Sequence, residues 1–481
     1  MTLKHKALIG FFWSASDKLV NQLGYLAVTV FIARTIGPES FGLIGMLTIF
    51  MLLAESVVSN GFSQALIQRS DQLTEEDSST IFYVNFLWGI AMYLLLYFTA
   101  PLISEFYNQP QLVDISRVLF VVIIINSLVV VARAKLTINI DFRSQAIAST
   151  FSTILSSAAG IYLALEGYGY WALVWLLITK AIFNTIGIWL FCRWLPKFIF
   201  SIKSFKSLFG FGSKLMLAGL VATFVNNLYV ALIGRYFNAT QVGYFTQATN
   251  LSNYLSQFIS STLQGVTYPI MTSVKEDKRR LINIYEQLIS ITMLISLPLL
   301  IGFAAVAEDF ILLVLGEEWL PVVPVLIALC FARAITPISA INMNILNAVG
   351  RSDLFLKVDL SKLPMTLLAL FIALPYGIEG IAWAMVCTTV IAFFINAYFP
   401  GRLFDFGAIK QIKVAYKYMI ASALMYISIS HLDISNELWI SLIIKIFIGA
   451  TIYMTVVYAL RDVFVLEKTR LILRRNMSKG Q

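Results

Sequence analysis

The chain has 481 residues, of which 59% are hydrophobic and only 13% are charged, and its mean hydropathy is +0.81. Soluble domains contain roughly a quarter charged residues, so this composition excludes a water-soluble globular protein and indicates a membrane protein. The net charge is +9, and histidine occurs only at His5 and His431, which argues against a zinc site or a histidine general base. The three cysteines lie in apolar segments, so we expect no disulfide framework.

Fourteen apolar segments follow one another along the chain. A spanning helix needs ~20 mostly apolar residues, and windows of that length predict fourteen such helices with short connections. They cover residues 7–33, 41–66, 80–104, 115–134, 146–165, 169–192, 211–234, 240–266, 282–306, 320–347, 354–375, 378–400, 412–430 and 437–460. The first segment has the basic start of a secretory signal, but it stays apolar to Ala33 and is therefore predicted to be a spanning helix.

The positions of Lys and Arg predict how the chain is oriented. These residues accumulate in cytoplasmic loops, and with the N-terminus inside, 27 of the 35 basic residues fall on the cytoplasmic side. Only Arg34, Arg117 and Arg235 fall outside, and the other five lie within spans. We therefore expect an inner-membrane protein with cytoplasmic N- and C-termini. Because topology explains the positive charge, we expect no nucleic-acid partner.

A basic, amphipathic stretch separates the first six spans from the rest. Phe198, Ile202, Phe205 and Leu208 recur at helical spacing with lysines between them, which predicts a helix lying in the cytoplasmic interface. The predicted domains are an N-lobe (1–193), this linker helix (194–213), a C-lobe (214–405), an additional helix pair (406–461) and a basic cytoplasmic tail (462–481).

The two lobes carry an internal repeat. Residues 34–42 align with residues 235–243 at an offset of 201, and both segments follow the first helix of a six-helix unit. Residues 171–174 and 383–386 form a second pairing in the same order. Six is an even number, so the two units enter the membrane from the same side and are predicted to be parallel repeats.

Polar residues inside the spans predict a central cavity between the lobes. A charged side chain at mid-bilayer costs ~2.5–3.5 kcal/mol, so such residues usually face a bundle interior or a wet cavity. Helix 8 carries polar residues at steps of three and four, and the offset of 201 places them on a similar stripe of helix 2. The candidate cavity residues are Asp17, Lys18, Gln22, Glu55, Asn60, Lys180, Asn226, Asn227, Gln247, Asn250, Tyr254, Gln257, Gln264, Arg333, Asp359 and Lys362. Several cations converging on one cavity would suit an anionic substrate.

These residues also have purely structural interpretations. Asp17 and Lys18 form an ion pair in one of them, and Asp359 and Lys362, spaced i, i+3, neutralise each other in another. The stripe on helix 8 could serve hydrogen bonds between helices. Lys180 and Arg333 could reach lipid headgroups by snorkelling, and for Lys445 snorkelling is the interpretation we favour.

Five loop segments resemble those of a known family. They are residues 33–42 (Ala-Arg-Thr-Ile-Gly-Pro-Glu-Ser-Phe-Gly), 140–143, 167–174, 347–351 and 377–384. On these segments the chain resembles the Wzx-type polysaccharide flippases of the multidrug/oligosaccharidyl-lipid/polysaccharide exporter superfamily, close to the colanic and teichuronic acid exporters. The resemblance covers nearly the whole chain.

The resemblance implies a V-shaped pair of six-helix lobes that open alternately to either side. It implies export of an undecaprenyl-pyrophosphate-linked oligosaccharide, such as an exopolysaccharide, O-antigen or teichuronic-type repeat unit, without enzymatic activity or a cofactor. A coupling ion, H⁺ or Na⁺, is expected, with Asp17, Glu55 and Asp359 as titratable candidates. Expected partners are the lipid-linked oligosaccharide, membrane lipids, a polysaccharide polymerase and a chain-length regulator.

Three other functions were weighed against this one. A multidrug antiporter of the same superfamily usually has twelve helices, and helices 13 and 14 argue against it. A membrane-embedded polymerase or ligase generally carries a long external loop with its reaction site, whereas the predicted outer loops here are short. A structural scaffold does not explain ionisable residues inside the spans.

Overall fold

The structure is a computed structural model that describes residues 3–59, 61–70, 73–274, 276–432 and 437–461. Within these ranges the side chains of residues 3–20, 23, 211, 214, 215, 218, 261–266, 268, 269, 352 and 356 lie outside the description. The predicted basic tail, residues 462–481, also lies outside it. Residues 1–246 and 247–481 form two compact units, called unit 1 and unit 2 below.

The described part of unit 1 consists of nine helices and the start of a tenth. The helices are α1 (Leu3–Ser59), α2 (Phe62–Gln68), α3 (Glu75–Tyr107), α4 (Leu112–Leu119), α5 (Val121–Ser127), α6 (Val130–Ile138), α7 (Phe142–Leu165), α8 (Trp171–Cys192), α9 (Ile202–Tyr236) and α10 (Ala239–Ser273). Small residues permit close packing of α7 on α8, where a Cβ atom on Gly187 would lie 2.8 Å from the Cβ of Ala148.

Unit 2 contains the rest of α10 and seven further helices. These are α11 (Lys278–Ala305), α12 (Ala307–Val314), α13 (Val322–Ala348), α14 (Ser352–Ala373), α15 (Gly377–Phe404), α16 (Ala408–Ser430) and α17 (Leu438–Ala459). Two short 3₁₀ turns, Glu317–Trp319 and Leu374–Tyr376, precede α13 and α15. The core of this unit packs α11 against α13 and α16, with Tyr285, Ile345 and Tyr418 fully buried.

The predicted all-α membrane fold is confirmed. Ten helical stretches in the described residues are long and apolar enough to cross a membrane, judged by length and composition. Two of them, Gly24–Gln68 and Asp353–Phe404, each cover two of the predicted spans. Helices α9 and α10 are not in this set, although each is 35 residues long. The fourth predicted span is broken into α4, α5 and α6.

The two glycine motifs of the internal repeat meet within unit 1. The helix α1 is interrupted at Gly37, whose φ of 76° glycine tolerates well, and Pro38 starts its second segment. A Cβ on Gly42 would lie 1.7 Å from the carbonyl oxygen of Ala239, and one on Gly243 would lie 2.0 Å from that of Pro38. The aligned glycines therefore let the second segment of α1 cross the start of α10 in backbone contact.

The linker differs from the prediction in its first half. Residues 193–201 form no helix, and α9 begins only at Ile202 before continuing without a break to Tyr236. Pro196 lacks an amide proton and restricts the residue before it, which opposes a helix there. Ser201 then caps α9 by accepting a hydrogen bond from the backbone amide of Ser204. The assignment of two lobes on either side of this linker remains a prediction.

Candidate functional site

Unit 1 encloses a polar cavity of about 530 Å³. Its walls come from the second segment of α1, from α2, and from α5, α6, α7 and α8. This volume lies within the range of small-molecule sites, ~300–1,000 Å³. The polar lining residues are Glu55, Ser59, Ser63, Gln64, Asn126, Arg133, Ser149, Ser152, Lys180 and Asn184.

Helical spacing explains why these polar groups converge. Lys180 and Asn184 are one turn apart on α8, and Ser149 and Ser152 are one turn apart on α7. The helices α7 and α8 therefore each present a narrow polar face to the cavity. The remaining lining side chains are apolar, for example Met51 on α1.

Charged groups of both signs lie in this cavity. The Asn126 side-chain amide donates a hydrogen bond to a Glu55 carboxylate oxygen at 2.7 Å. The Arg133 side chain lines the same cavity as this carboxylate. The Lys180 ammonium lies 4.2 Å from the centre of the Tyr25 ring, a cation–π contact. The cavity therefore contains two basic side chains and one acidic side chain among amides and hydroxyls.

This set of groups suits an anion that also carries hydroxyls. Arg133 can bind phosphate oxygens through two parallel hydrogen bonds, and Lys180 can add a compact positive charge. Asn184 and the serine hydroxyls offer the donors and acceptors that a sugar needs. The geometry therefore fits a phosphate-linked glycan headgroup.

Unit 2 contains a second cavity of different character. It has a volume of about 490 Å³ and lies among α11, α13, α15 and α16. Its lining is almost wholly apolar and includes Leu297, Phe331, Ile338, Phe393 and Met419. Such a surface offers hydrocarbon contacts and little that could orient a charged group.

Two of the predicted site residues are brought together by the structure. Glu55 and Lys180 both line the cavity of unit 1. Gln22 is half-buried on α1 and is not among the lining residues. On α9, Asn226 is exposed, and Asn227 is half-buried with its amide donating to the carbonyl of Thr223 at 2.8 Å.

The predicted stripe on helix 8 lies on α10. Gln247 is buried, Tyr254 is half-buried, and Asn250 and Gln257 are exposed. These residues line neither of the two cavities described above. Arg333 is half-buried on α13, where its carbonyl accepts a hydrogen bond from Ser256 at 3.4 Å.

The remaining charged candidates in unit 2 are paired with each other. The Lys362 ammonium lies 2.6 Å from an Asp359 carboxylate oxygen and also donates to the Asn396 side chain at 3.2 Å. The structure therefore supports the interpretation in which these two charges neutralise each other.

The expectation that Lys445 snorkels to lipid headgroups is wrong. Its side chain is buried, and its ammonium lies 2.7 Å from a carboxylate oxygen of Asp309. Ser441 donates a further hydrogen bond to Asp309 at 3.0 Å. A charge inside a bundle is stabilised by a nearby opposite charge. Asp309 is 136 positions from Lys445, so no local sequence pattern indicates this pair.

Four candidates cannot be placed. Asn60 lies outside the described residues, and so do the side chains of Asp17, Lys18 and Gln264. Their assignment to a cavity stays a prediction.

Sequence reasoning missed most of the cavity residues. Arg133 is one of the 27 basic residues predicted on the cytoplasmic side, at the end of the fourth predicted span, and it was not a cavity candidate. It lies on α6 and lines the cavity with Asn126 and Asn184. Asn126 and Arg133 are seven residues apart, which is a two-turn spacing that could have identified a polar face on the fourth span. The serines of α7 gave no such signal, because serine is common in membrane helices.

Comparison with known proteins identifies the family. A family model described as polysaccharide biosynthesis protein matches residues 31–324. The chain belongs to this family. The sequence-based assignment is thus confirmed, and so is the prediction of a membrane transporter, rather than an enzyme, in polysaccharide biosynthesis.

Several family relatives have names that refer to surface polysaccharides. Teichuronic acid biosynthesis protein TuaB of Bacillus subtilis (strain 168) is 28% identical over 438 residues, 89% of each chain. Succinoglycan biosynthesis transport protein ExoT of Rhizobium meliloti (strain 1021) is 28% identical and covers 68% of this chain and 66% of its own. Lipopolysaccharide biosynthesis protein WzxC of Escherichia coli (strain K12) is 24% identical over 82% of each.

Solved structures of transporters share the fold of this family member. The lipid II flippase MurJ matches with a TM-score of 0.74 at 14% identity, over 95% of this chain and 100% of MurJ. An inward-facing multidrug resistance MATE transporter matches with a TM-score of 0.60 at 15% identity, over 82% and 96% of the two chains. At such identities these matches establish the fold alone.

Proposed function

We propose that this protein is a flippase that moves a lipid-linked oligosaccharide, carried on undecaprenyl pyrophosphate, from the inner to the outer leaflet by alternating access. The single observation that carries the proposal is the polar cavity of unit 1, lined by Arg133 and Lys180 within spanning helices. Two basic groups offset the charge of a pyrophosphate, and the surrounding amides and hydroxyls replace water around the sugars. The names of the relatives support a glycan substrate.

Direction and location follow from the charge distribution. The excess of Lys and Arg on one side supports an inner-membrane protein with both termini in the cytoplasm. A substrate assembled in the cytoplasm would then enter from the inner leaflet and leave to a polysaccharide polymerase and a chain-length regulator outside. Labelling of single cysteines introduced at Lys6 and Glu437 with a membrane-impermeant reagent tests this. Labelling of the first site in intact cells would contradict the orientation.

Glu55 is the candidate for ion coupling among the described residues. Asp359 is held by Lys362 at 2.6 Å, whereas Glu55 lines the cavity itself. A proton or sodium ion on this carboxylate would change the net charge of the cavity and hence its affinity for an anionic headgroup. We expect Glu55→Gln to abolish stimulation of transport by an imposed H⁺ or Na⁺ gradient, and Asp359→Asn to preserve it. The opposite pattern would assign coupling to α14.

The flippase proposal is tested with the purified chain in vesicles. A fluorescent undecaprenyl-pyrophosphate disaccharide is placed in both leaflets, and a membrane-impermeant quencher measures how fast inner-leaflet molecules reach the outside. We expect full loss of fluorescence with the protein and loss of about half without it, while a fluorescent phosphatidylcholine stays unmoved in both. Equal behaviour of protein-containing and empty vesicles would overturn the proposal.

The same vesicles examine the antiporter alternative. The carboxylate of Glu55 could also attract an organic cation, and the MATE transporters share the fold. Uptake of a cationic dye at rates that exceed those of the disaccharide lipid would favour the antiporter. We expect dye uptake equal to that of empty vesicles.

A further inference from the structure

The connection between α8 and α9 is a fixed strap. The strap, residues 193–206, comprises the non-helical segment 193–201 and the first turn of α9. Its backbone amides at Lys197 and Ser201 each donate a hydrogen bond at 3.0 Å to the fully buried hydroxyls of Ser79 and Thr80, near the start of α3. The strap is therefore held to α3 at two points.

An aromatic contact adds a third attachment. The Trp194 indole donates to a carboxylate oxygen of Glu75 at 2.8 Å and stacks on Trp189. The Lys135 ammonium lies 4.5 Å from the Trp194 ring centre and 3.0 Å from Glu75. These contacts pair Glu75, an acidic residue in the first turn of α3, with groups of unit 1 itself.

The outer surface of the strap is apolar at its middle. Phe198 is 98% exposed, Leu195 is 76% exposed, and Phe200 and Ile202 are also exposed. Exposed apolar side chains are expected on the lipid-facing sides of the spans, but these four lie on a connection between two spans. A patch of this kind next to the membrane marks an interaction surface.

The same strap is strongly basic. It contains Arg193, Lys197, Lys203 and Lys206 and no acidic residue, and all four basic residues are exposed. Apolar side chains that can insert, flanked by lysines, are the pattern of an interfacial segment that binds anionic lipids. The positive charge favours a lipid surface over a protein partner as the occupant. A protein partner would need a matching acidic surface, whereas the cytoplasmic leaflet is negatively charged along its whole area.

We propose that the strap is a docking surface for anionic phospholipid headgroups of the cytoplasmic leaflet. Phe198 and Leu195 insert at the level of the upper acyl chains, while Lys197, Lys203 and Lys206 bind the phosphates. Because the strap is attached to α3 and continues into α9, bound lipid would hold the inner ends of both helices at a fixed depth. The proposal takes the orientation of the chain from the proposed function, and it does not depend on what the chain transports.

The test measures lipid preference and depth separately. The full chain and the variant K197Q/K203Q/K206Q are titrated in detergent with phosphatidylglycerol or phosphatidylcholine, and retained lipids are counted by native mass spectrometry. We expect the preference for phosphatidylglycerol to fall about fivefold for each lysine removed. A matched variant, K278Q/K410Q/K413Q, removes three exposed lysines elsewhere on the cytoplasmic side and should retain the preference.

The depth of residue 198 in the membrane is measured with a spin label attached to the variant Phe198→Cys. The other accessible cysteines, Cys192 and Cys387, are replaced by serine in this variant. Vesicles contain phosphatidylcholine alone or an equal mixture with phosphatidylglycerol. We expect the label to be shielded from an aqueous relaxant, most strongly in the mixture, whereas a label at Arg279 stays accessible. Phe198 is almost fully exposed, so its replacement removes little more than the stacking of its ring on Tyr83, at 6.1 Å between ring centres.

Two results would overturn the proposal. One is an equal loss of lipid preference in the strap variant and the matched variant. The other is a label at position 198 that is accessible in vesicles but shielded in native membranes, which would assign the strap to a protein partner. Neither experiment measures transport. A negative result for lipid binding therefore does not contradict the flippase proposal, and a negative flipping assay does not contradict the lipid-docking proposal.

Discussion

The two cavities described above are similar in size and opposite in chemistry. The cavity of unit 1, at about 530 Å³, is lined by Glu55, Arg133 and Lys180 among amides and hydroxyls. The cavity of unit 2, at about 490 Å³, is lined by aliphatic and aromatic side chains. Polar groups inside a membrane are expensive and need a compensating interaction, whereas an apolar cavity matches its lipid surroundings. This cost supports the proposal that a polar ligand binds in unit 1.

Unit 2 also buries polar groups, and one cluster of three side chains is satisfied internally. Tyr285 on α11 donates to the side chain of Asn342 on α13, and both contact Gln411 on α16. The Gln411 amide donates at 3.0 Å to each of these two side chains and at 3.1 Å to the carbonyl of Phe406. All three side chains are fully buried. These three polar side chains of unit 2 therefore stabilise helix packing, while the polar residues of the unit 1 cavity line an open volume.

The largest effect is expected from removing both basic side chains of the polar cavity. The double variant R133Q/K180Q should lower the flipping rate of a pyrophosphate-linked disaccharide by at least about 100-fold. Each lost hydrogen bond to a charged group is worth ~1.5–3 kcal/mol, and the two together exceed a hundredfold change in rate. The rate is measured in vesicles at equal protein content.

The matched control removes the same two charges from the surface of unit 2. Arg402 and Lys413 are exposed and line neither cavity. The variant R402Q/K413Q should retain the rate of the unchanged protein within about twofold, as surface charges contribute little. Similar losses in both double variants would show that net charge, rather than the cavity, governs transport.

The next effect concerns stability, and it tests whether charges in unit 2 are structural. Lys445→Met leaves the half-buried carboxylate of Asp309 without its ammonium partner, which should lower the free energy of unfolding by about 3 kcal/mol. The double variant D309N/K445M removes both charges and should recover most of that loss. Thermal unfolding in detergent measures both. If the single variant unfolds at the original temperature, the pair has no stabilising role.

The sequence allowed the spans to be predicted well, because twenty-residue apolar windows are a direct requirement of the bilayer. Every predicted span corresponds to a helix or a run of helices, from the two segments of α1 to α17. The first half of the linker is not the helix that the spacing of Phe198 and Ile202 predicts, because Pro196 opposes a helix there. Local backbone chemistry overrode the hydrophobic pattern there.

The site was harder to predict than the fold, because it depends on contacts between distant residues. Glu55 and Lys180 were both candidates, but nothing in their spacing could show that α5 supplies Asn126 to the same cavity. Likewise Asp309 and Lys445 are 136 positions apart in the sequence and form one ion pair. A polar residue within a predicted span is a candidate for a structural or functional role. Only the packing of the helices distinguishes a residue with a fixed partner from one that lines a cavity.

The smallest effect compares one side-chain amide in each unit. Gln411→Ala removes a residue that joins three others inside a closed core, so Tyr285 and Asn342 lose hydrogen bonds that water cannot replace. We expect a loss of ~1–3 kcal/mol in unfolding free energy with an unchanged flipping rate per folded molecule. Asn126→Ala removes the donor to Glu55 at 2.7 Å beside an open volume, where water can take over the hydrogen bond. It should therefore destabilise by less than about 1 kcal/mol and yet slow flipping several-fold. If both variants lose stability equally and both keep their rate, the amide in unit 1 is as structural as the one in unit 2. The distinction between the two cavities would then fail, since these two variants compare a side-chain amide in a closed core with one beside an open volume.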